Sequence, residues 1–171
     1  MKEKNGEHPL GDAGQIIALF IFLAVWTADS IFLNLSSSLS KAIPLIIRLP
    51  VSILLFAPVY CLARSGHRVI GRNRKDNFVV TSGAFRVIRH PLYLASLLTY
   101  LALCVSTLSL PSFVVWIGIF FFYDYIASYE EKLLEVRFGR QYFVYKANTG
   151  KWIPGPVHLL SFRCNRQTPV Q

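Results

Sequence analysis

The chain has 171 residues, suited to one membrane-embedded domain over 1–171, and it is 53% hydrophobic and only 16% charged. A water-soluble domain of this length carries about a quarter charged residues, so the composition argues against one. The formal net charge of +9 would suit nucleic acid, but the distribution of the bases along the chain points elsewhere.

A polar leader, Met1–Gln15, mixes Lys2 and Lys4 with Glu3, Glu7 and Asp12. Four apolar runs follow, Ile16–Leu33, Ile43–Leu62, Leu92–Leu110 and Phe113–Ser128, each 16 to 20 residues long. A helix needs roughly 20 residues to cross the hydrocarbon core, and only Asp29, Arg48 and Asp124 carry charge inside these runs. The first run is too long for the apolar region of a signal peptide, although Ser36–Ser40 imitates a cleavage site. The expected architecture is an all-α integral membrane protein with about four transmembrane helices in two hairpins, followed by a cytoplasmic C-terminal helical segment. A soluble all-α bundle is the alternative, and its helices seldom run so long.

The basic residues sort by side of the membrane. Arg64–Arg89 holds seven of them against one acid, Asp76, and the stretch after Ser128 holds seven more. The opposite connections, Asn34–Ala42 and Ser109–Ser112, contain only Lys41. This positive-inside asymmetry predicts a multi-pass protein with N- and C-termini in the cytoplasm. Its expected partners are membrane lipids with anionic headgroups, and no nucleic acid.

Local signals refine the picture. Pro44, Pro50 and Pro58 punctuate the second run and are expected to bend it. Pro91 falls at a first helical position, Pro111 marks the turn between the third and fourth runs, and Gly139 suits a C-cap, with Tyr142 and Tyr145 on a short turn beyond it. Asp29 and Arg48 each lie about six residues inside adjacent helices, where an ion pair would offset the cost of isolated charges. Cys61 and Cys104 read as packing residues. With Cys164 they make neither a disulfide framework nor a metal-ligating spacing.

Folding the third and fourth runs back on each other at Leu110–Pro111 brings equally distant residues to one depth. His90 lies about 20 positions before that turn and Glu130–Glu131 about 20 after it, so Arg89, His90, Glu130 and Glu131 are expected neighbours at the cytoplasmic mouth. Glu130, Leu134 and Phe138 recur on one helical face, which turns Glu130 inward. Ser128-x-x-Glu131 also fits a capping box for a helix starting near Ser128. A helix start carrying Arg89 and His90 can hold a ligand carboxylate, an opposed carboxylate can hold an ammonium group, and aromatic rings can cover a flat base or a sulfonium cation. The same residues serve equally well as interface anchors, with Tyr93 in an aromatic belt. Spacing alone leaves both readings open.

The segments VTSGAFRVIRHPLY (80–93), EEKLLEVRFGRQYFVY (130–145) and KWIP (151–154), separated by a hydrophobic hairpin, resemble the isoprenylcysteine carboxyl methyltransferases and the related membrane phospholipid methyltransferases. The resemblance covers roughly Asn77–Pro154, and the order and separation of the pieces carry it. It implies S-adenosylmethionine as methyl donor, bound at the cytoplasmic face without a Rossmann domain, and a lipophilic, membrane-borne acceptor such as a lipid or a prenylated group. The lack of a G-x-G-x-x-G loop agrees with this. By position, the cofactor contacts implied are Asn77, Phe78, Val79, Val80, Phe85, His90, Pro91, Leu92, Tyr93, Glu130 and Glu131. Phe85 stands where the family usually has Tyr. Glu130 and Arg89 become the candidate catalytic pair, and no metal is called for. The carboxyl methyltransferases also carry an Arg four residues before the first Glu, where this chain has Ile126, with Asp124 and Tyr125 nearby. That departure removes the obvious partner of a carboxylate acceptor. Two other functions compete: a nicotinamide-dependent membrane reductase, whose C-terminal segment is similar, and a non-enzymatic membrane subunit that keeps the fold.

Overall fold

The computed structural model describes residues 11–33, 35, 42–73 and 79–155, the side chains of 12 and 68–73 excepted. Asn77 and Phe78, most of the leader and of the Asn34–Ala42 connection, and Cys164 lie outside the described residues. The described residues form five α-helices: α1 (Gly11–Thr27, continued by a π-helical end, Ala28–Leu33), α2 (Leu45–Asn73), α3 (Pro91–Thr107), α4 (Leu110–Phe138) and α5 (Arg140–Asn148). A 3-10 turn at Gly83–Arg86 precedes α3, and no strand occurs among the described residues. The all-helical expectation therefore holds. Ala13–Leu33, Leu45–His67 and Leu110–Phe138 are long and apolar enough to cross a membrane, while α3 is a shorter apolar helix of 17 residues. Helix α2 runs on through Pro50 and Pro58.

The helices do not pair as two simple hairpins. Helix α2 packs along α3, whereas α1 packs on α4 and more sparsely on α3, so α1 and α2 share no substantial interface among the described residues. Helix α3 is the centre: Tyr93, Leu97, Tyr100 and Cys104 join Ala18 and Phe22 of α1 and Ile119, Tyr123, Ile126 and Ala127 of α4 in one buried core. Phe22 stacks on Tyr100 with ring centroids 4.6 Å apart. On the other side, a Cβ built on Gly66 of α2 would lie 2.7 Å from Leu92 Cδ2, so the missing side chain lets α2 approach α3 there. The outward faces stay apolar and uncovered, as at Phe20, Ile46, Leu54 and Val114, which suits contact with lipid.

This arrangement overturns the expected Asp29–Arg48 ion pair. The last carbonyls of a helix lack partners within it. On α3, Arg48 Nη1 of α2 donates to one of these, Ser106 O, at 3.2 Å, and Trp26 Nε1 of α1 donates to Leu103 O, about one turn earlier, at 3.2 Å. Asp29, buried at 3% exposure, accepts from the backbone N–H of Leu35 at 2.9 Å. Because α3 is engaged by both α1 and α2, the two charged residues take different partners. Cys104 is buried in the core as expected, but Cys61 is exposed on α2.

The turn between α3 and α4 follows the expected chemistry. Leu108 takes a left-handed φ of 55° and closes α3, and the Ser109 hydroxyl caps α4 by accepting from Ser112 N at 3.4 Å. Helix α4 then continues past Ser128 to Phe138 without a break. The capping box therefore does not form: Ser128 is mid-helix, its hydroxyl donating to Asp124 O at 2.8 Å. Gly139, with φ 50°, ends α4 as the C-cap, and its N–H reaches Glu135 O at 2.9 Å.

Candidate functional site

Pro91 opens α3 at its first turn, and this fixes Arg89 and His90 just outside the helix start. Across from them, α4 presents Glu130 and Glu131. All four expected neighbours meet. Arg89 Nε lies 2.8 Å from Glu131 Oε1, and Nη2 lies 3.4 Å from Oε2. His90 Nε2 is 3.2 Å from the same Oε1, while its Nδ1 is 3.9 Å from Glu130 Oε2. Tyr93, one helical turn on, donates to Glu130 Oε1 at 2.6 Å.

The two carboxylates differ in kind. The Glu131 side chain is only 5% exposed and is ringed by Arg89, His90 and Lys146 Nζ, the last at 3.2 Å. A buried carboxylate is tolerable only when charge and hydrogen bonds surround it. Glu130 is more accessible, at 16% side-chain exposure, and it turns toward His90 and Tyr93 as the helical face predicted. Lys146 also contacts Glu135 at 2.6 Å, and this contact, ahead of the one with Glu131, raises its ammonium above the ordinary lysine value.

Arg89 has a further role that spacing did not reveal. Its Nη1 donates to Lys146 O at 3.0 Å and also to Thr149 O, and its backbone N–H donates to Gly150 O at 2.9 Å. The guanidinium thus closes the C-terminal end of α5, where carbonyls are free and a cation is favoured. With Nε, Nη1 and Nη2 all engaged, Arg89 fastens α3, α4 and α5 to one another.

The remaining candidates divide. Phe85 sits half-buried in the 3-10 turn, where its carbonyl accepts from Tyr145 Oη at 2.6 Å. That turn is tied to α2 by Ala84 N donating to Ser65 Oγ at 2.8 Å. Val79 and Val80 are half-buried and outside any helix, and Pro91 is buried. Leu92 turns away from the carboxylates toward Gly66 of α2.

Sequence reasoning missed the segment after α5. Lys151 Nζ donates to Asp124 Oδ1, to Asp124 O at 3.1 Å and to Ser128 Oγ at 2.8 Å; Trp152 Nε1 donates to Asp124 Oδ1 at 2.8 Å. The Trp152 ring then lies 6.0 Å from His90 and 5.8 Å from Phe120. The charge of Asp124 within an apolar run and the KWIP pattern were the available signals. Ile126, at the position of the missing Arg, is 1% exposed in the core.

With this geometry in hand, comparison with known families is informative. The family model for phospholipid methyltransferases matches residues 46–141, more than half of the chain. The chain belongs to the phospholipid methyltransferase family. The matched stretch contains the whole of α3, α4 and the His90–Glu130–Glu131 constellation, so the family assignment and the convergent polar cluster fall on the same part of the molecule. Membership makes the protein a membrane methyltransferase in general terms, as the resemblance of its motifs implied. Comparisons with curated proteins and with solved structures gave no significant match.

Proposed function

We propose that the protein transfers a methyl group from S-adenosylmethionine to a lipophilic acceptor, a lipid or a prenylated group, held in the membrane. One observation carries the reading: His90, Tyr93 and Glu130 converge at the mouth of the α3–α4 hairpin, braced from behind by Arg89–Glu131. The chemistry of this set fits the donor. Glu130 suits an ammonium group, the His90 edge beside a helix start suits a carboxylate, and the aromatic faces of Tyr93 and Trp152 suit a sulfonium or a flat base.

When bound, S-adenosylmethionine supplies an already activated methyl carbon, so the task left to the protein is positioning. Glu130 and His90 would then hold the donor, with Tyr93 holding Glu130 and the Arg89–Glu131 pair holding His90. Asn77, Phe78, Val79, Val80, Phe85, Pro91 and Leu92 follow as the wall of the donor site, a role that rests on their match to the family pattern. An amine acceptor would need a carboxylate to take its proton, and Glu130 and Asp124, the latter engaged with Lys151 and Trp152, are the two near the mouth. The positive-inside pattern supports a multi-pass arrangement with both termini and this mouth in the cytoplasm.

Calorimetry with S-adenosylhomocysteine on the purified protein tests the reading. Wild type should bind, and Glu130→Gln and His90→Ala should each bind about ten- to a hundred-fold more weakly, the equivalent of one charge-assisted hydrogen bond. Wild-type affinity in both folded variants would put the donor somewhere else.

A further inference from the structure

The segment 149–155 is more than the end of the described fold. Its backbone is bridged to Ile88 through Gly150, and its next two side chains reach down onto α4 at Asp124 and Ser128. It therefore forms a strap across the hairpin mouth, tying the residues that precede α3 to α4. The attachment is polar and specific: Lys151 bonds three acceptors on one turn of α4, and Asp124 accepts from both Lys151 and the Trp152 indole.

What the strap presses on matters for the site. Two rings pack near His90, Tyr93 stacked at 5.6 Å and 12°, and Trp152 tilted at 6.0 Å and 42°. An imidazole flanked in this way loses the freedom to rotate, and its two nitrogens stay aimed at Glu131 Oε1 and toward Glu130 Oε2. Removing Trp152 would leave the Tyr93 ring as the remaining aromatic neighbour of His90 among those described. Trp152 itself is held by a carboxylate, so the orientation of His90 depends on a charge pair one and a half turns deeper along α4.

We propose that Trp152, clipped to α4 by the Asp124–Lys151 pair, is a positioning residue of the donor site and acts through His90. This inference rests on the reading of the mouth as a donor site. Preorganisation of this kind raises affinity by removing the cost of ordering a side chain when ligand arrives. The Asp124–Lys151 pair is then a device for binding as well as for holding the C-terminal segment.

The test uses the full chain in detergent, with S-adenosylhomocysteine as probe. Trp152→Ala should weaken binding about three- to tenfold, and Trp152→Phe, which keeps a ring beside His90, should recover part of the loss. Asp124→Ala, which removes the acceptor of both Lys151 and the Trp152 indole, should weaken binding to about the level of Trp152→Ala, and combining the two should add little, since both release the same ring. A second readout needs no folding comparison: in the Trp26→Phe/Trp116→Phe protein, whose remaining tryptophan is Trp152, adding the probe should change the fluorescence. If wild type fails to bind the probe, the donor reading itself falls. If wild type binds, but Trp152 fluorescence is silent and the clip variants bind normally, this inference alone is overturned.

Discussion

The Tyr93 hydroxyl donates to Glu130 Oε1 at 2.6 Å and so links the first turn of α3 to the more accessible of the two carboxylates on α4. Tyr93→Phe removes that donor alone and keeps the ring against His90 and Tyr123. A hydrogen bond to a charged group is worth about 1.5–3 kcal/mol. If Glu130 receives the donor's ammonium, the variant should lose roughly tenfold in S-adenosylhomocysteine affinity and also melt at a lower temperature, since the bond is part of the ligand-free fold. Calorimetry beside a thermal melt checks both, and an unchanged affinity would detach Tyr93 from binding.

Arg89 and Glu131 bear mainly on stability. Their side chains are 10% and 5% exposed, and Arg89 also serves the carbonyls that end α5. Arg89→Met or Glu131→Gln leaves a buried charge without its closest partner, a loss of up to about 3–5 kcal/mol. The double variant should cost less than the sum, because neither charge is then stranded. Arg89→Lys should not rescue, since an ammonium cannot make the fork to Glu131 and also reach Lys146 O. Chemical or thermal unfolding of the four proteins would reveal simple additivity if the pair were only incidental.

Much of this is legible in the amino-acid sequence, for identifiable reasons. Equal distance from the Pro111 turn is a length argument, and it correctly brought His90 opposite Glu130. Gly139 and Pro91 announced helix ends because their backbone chemistry leaves little choice. What failed depended on which helices touch. The Asp29–Arg48 pair assumed that consecutive helices pack together, and α3 instead takes α1 and α2 on separate faces. The capping box failed because Ser128-x-x-Glu131 is a local pattern that an uninterrupted helix overrides. The strap was hidden for a different reason: Lys151 and Trp152 meet Asp124 across more than twenty-five positions of sequence, a distance over which spacing carries no signal.

Arg48 and Asp29 should behave independently. Arg48 serves Ser106 O, and Asp29 serves Leu35 N. Arg48→Ala and Asp29→Ala should each destabilise, with a coupling energy within about 0.5 kcal/mol of zero in a double-mutant cycle. A coupling well above that would mean that the two charges interact after all.

Stability should fall at alkaline pH. Burial pushes the Tyr142 and Tyr145 phenols up, and Glu135 followed by Glu131 raises Lys146 against the opposing effect of desolvation. Groups raised in the folded state keep protons that the unfolded chain releases. Their contribution is complete below the unfolded values, about 10 for Tyr and about 10.4 for Lys, and is lost as pH climbs above them. Melting temperatures near neutrality should be insensitive to these groups. Tyr142→Phe should flatten the decline above about pH 10, and an unaltered slope would remove Tyr142 from that account.

Gly150 offers the sharpest single-atom test of the strap. A Cβ added there would lie 1.7 Å from Ile153 O, and that neighbour is backbone, which cannot swing aside as a side chain can. Gly150→Ala must therefore open the turn that carries Lys151 and Trp152 and strain the bridge to Ile88. Overpacking of this kind costs about 1–3 kcal/mol. Gly118 on α4 is the matched control, because a Cβ there meets nothing within 4 Å. Gly118→Ala should be neutral or mildly stabilising. If the strap positions His90, Gly150→Ala should also weaken S-adenosylhomocysteine binding to about the level of Trp152→Ala, and combining the two should add little, since both release the same element. A combined loss equal to the sum of the two would show that Gly150 and Trp152 act through different parts of the molecule.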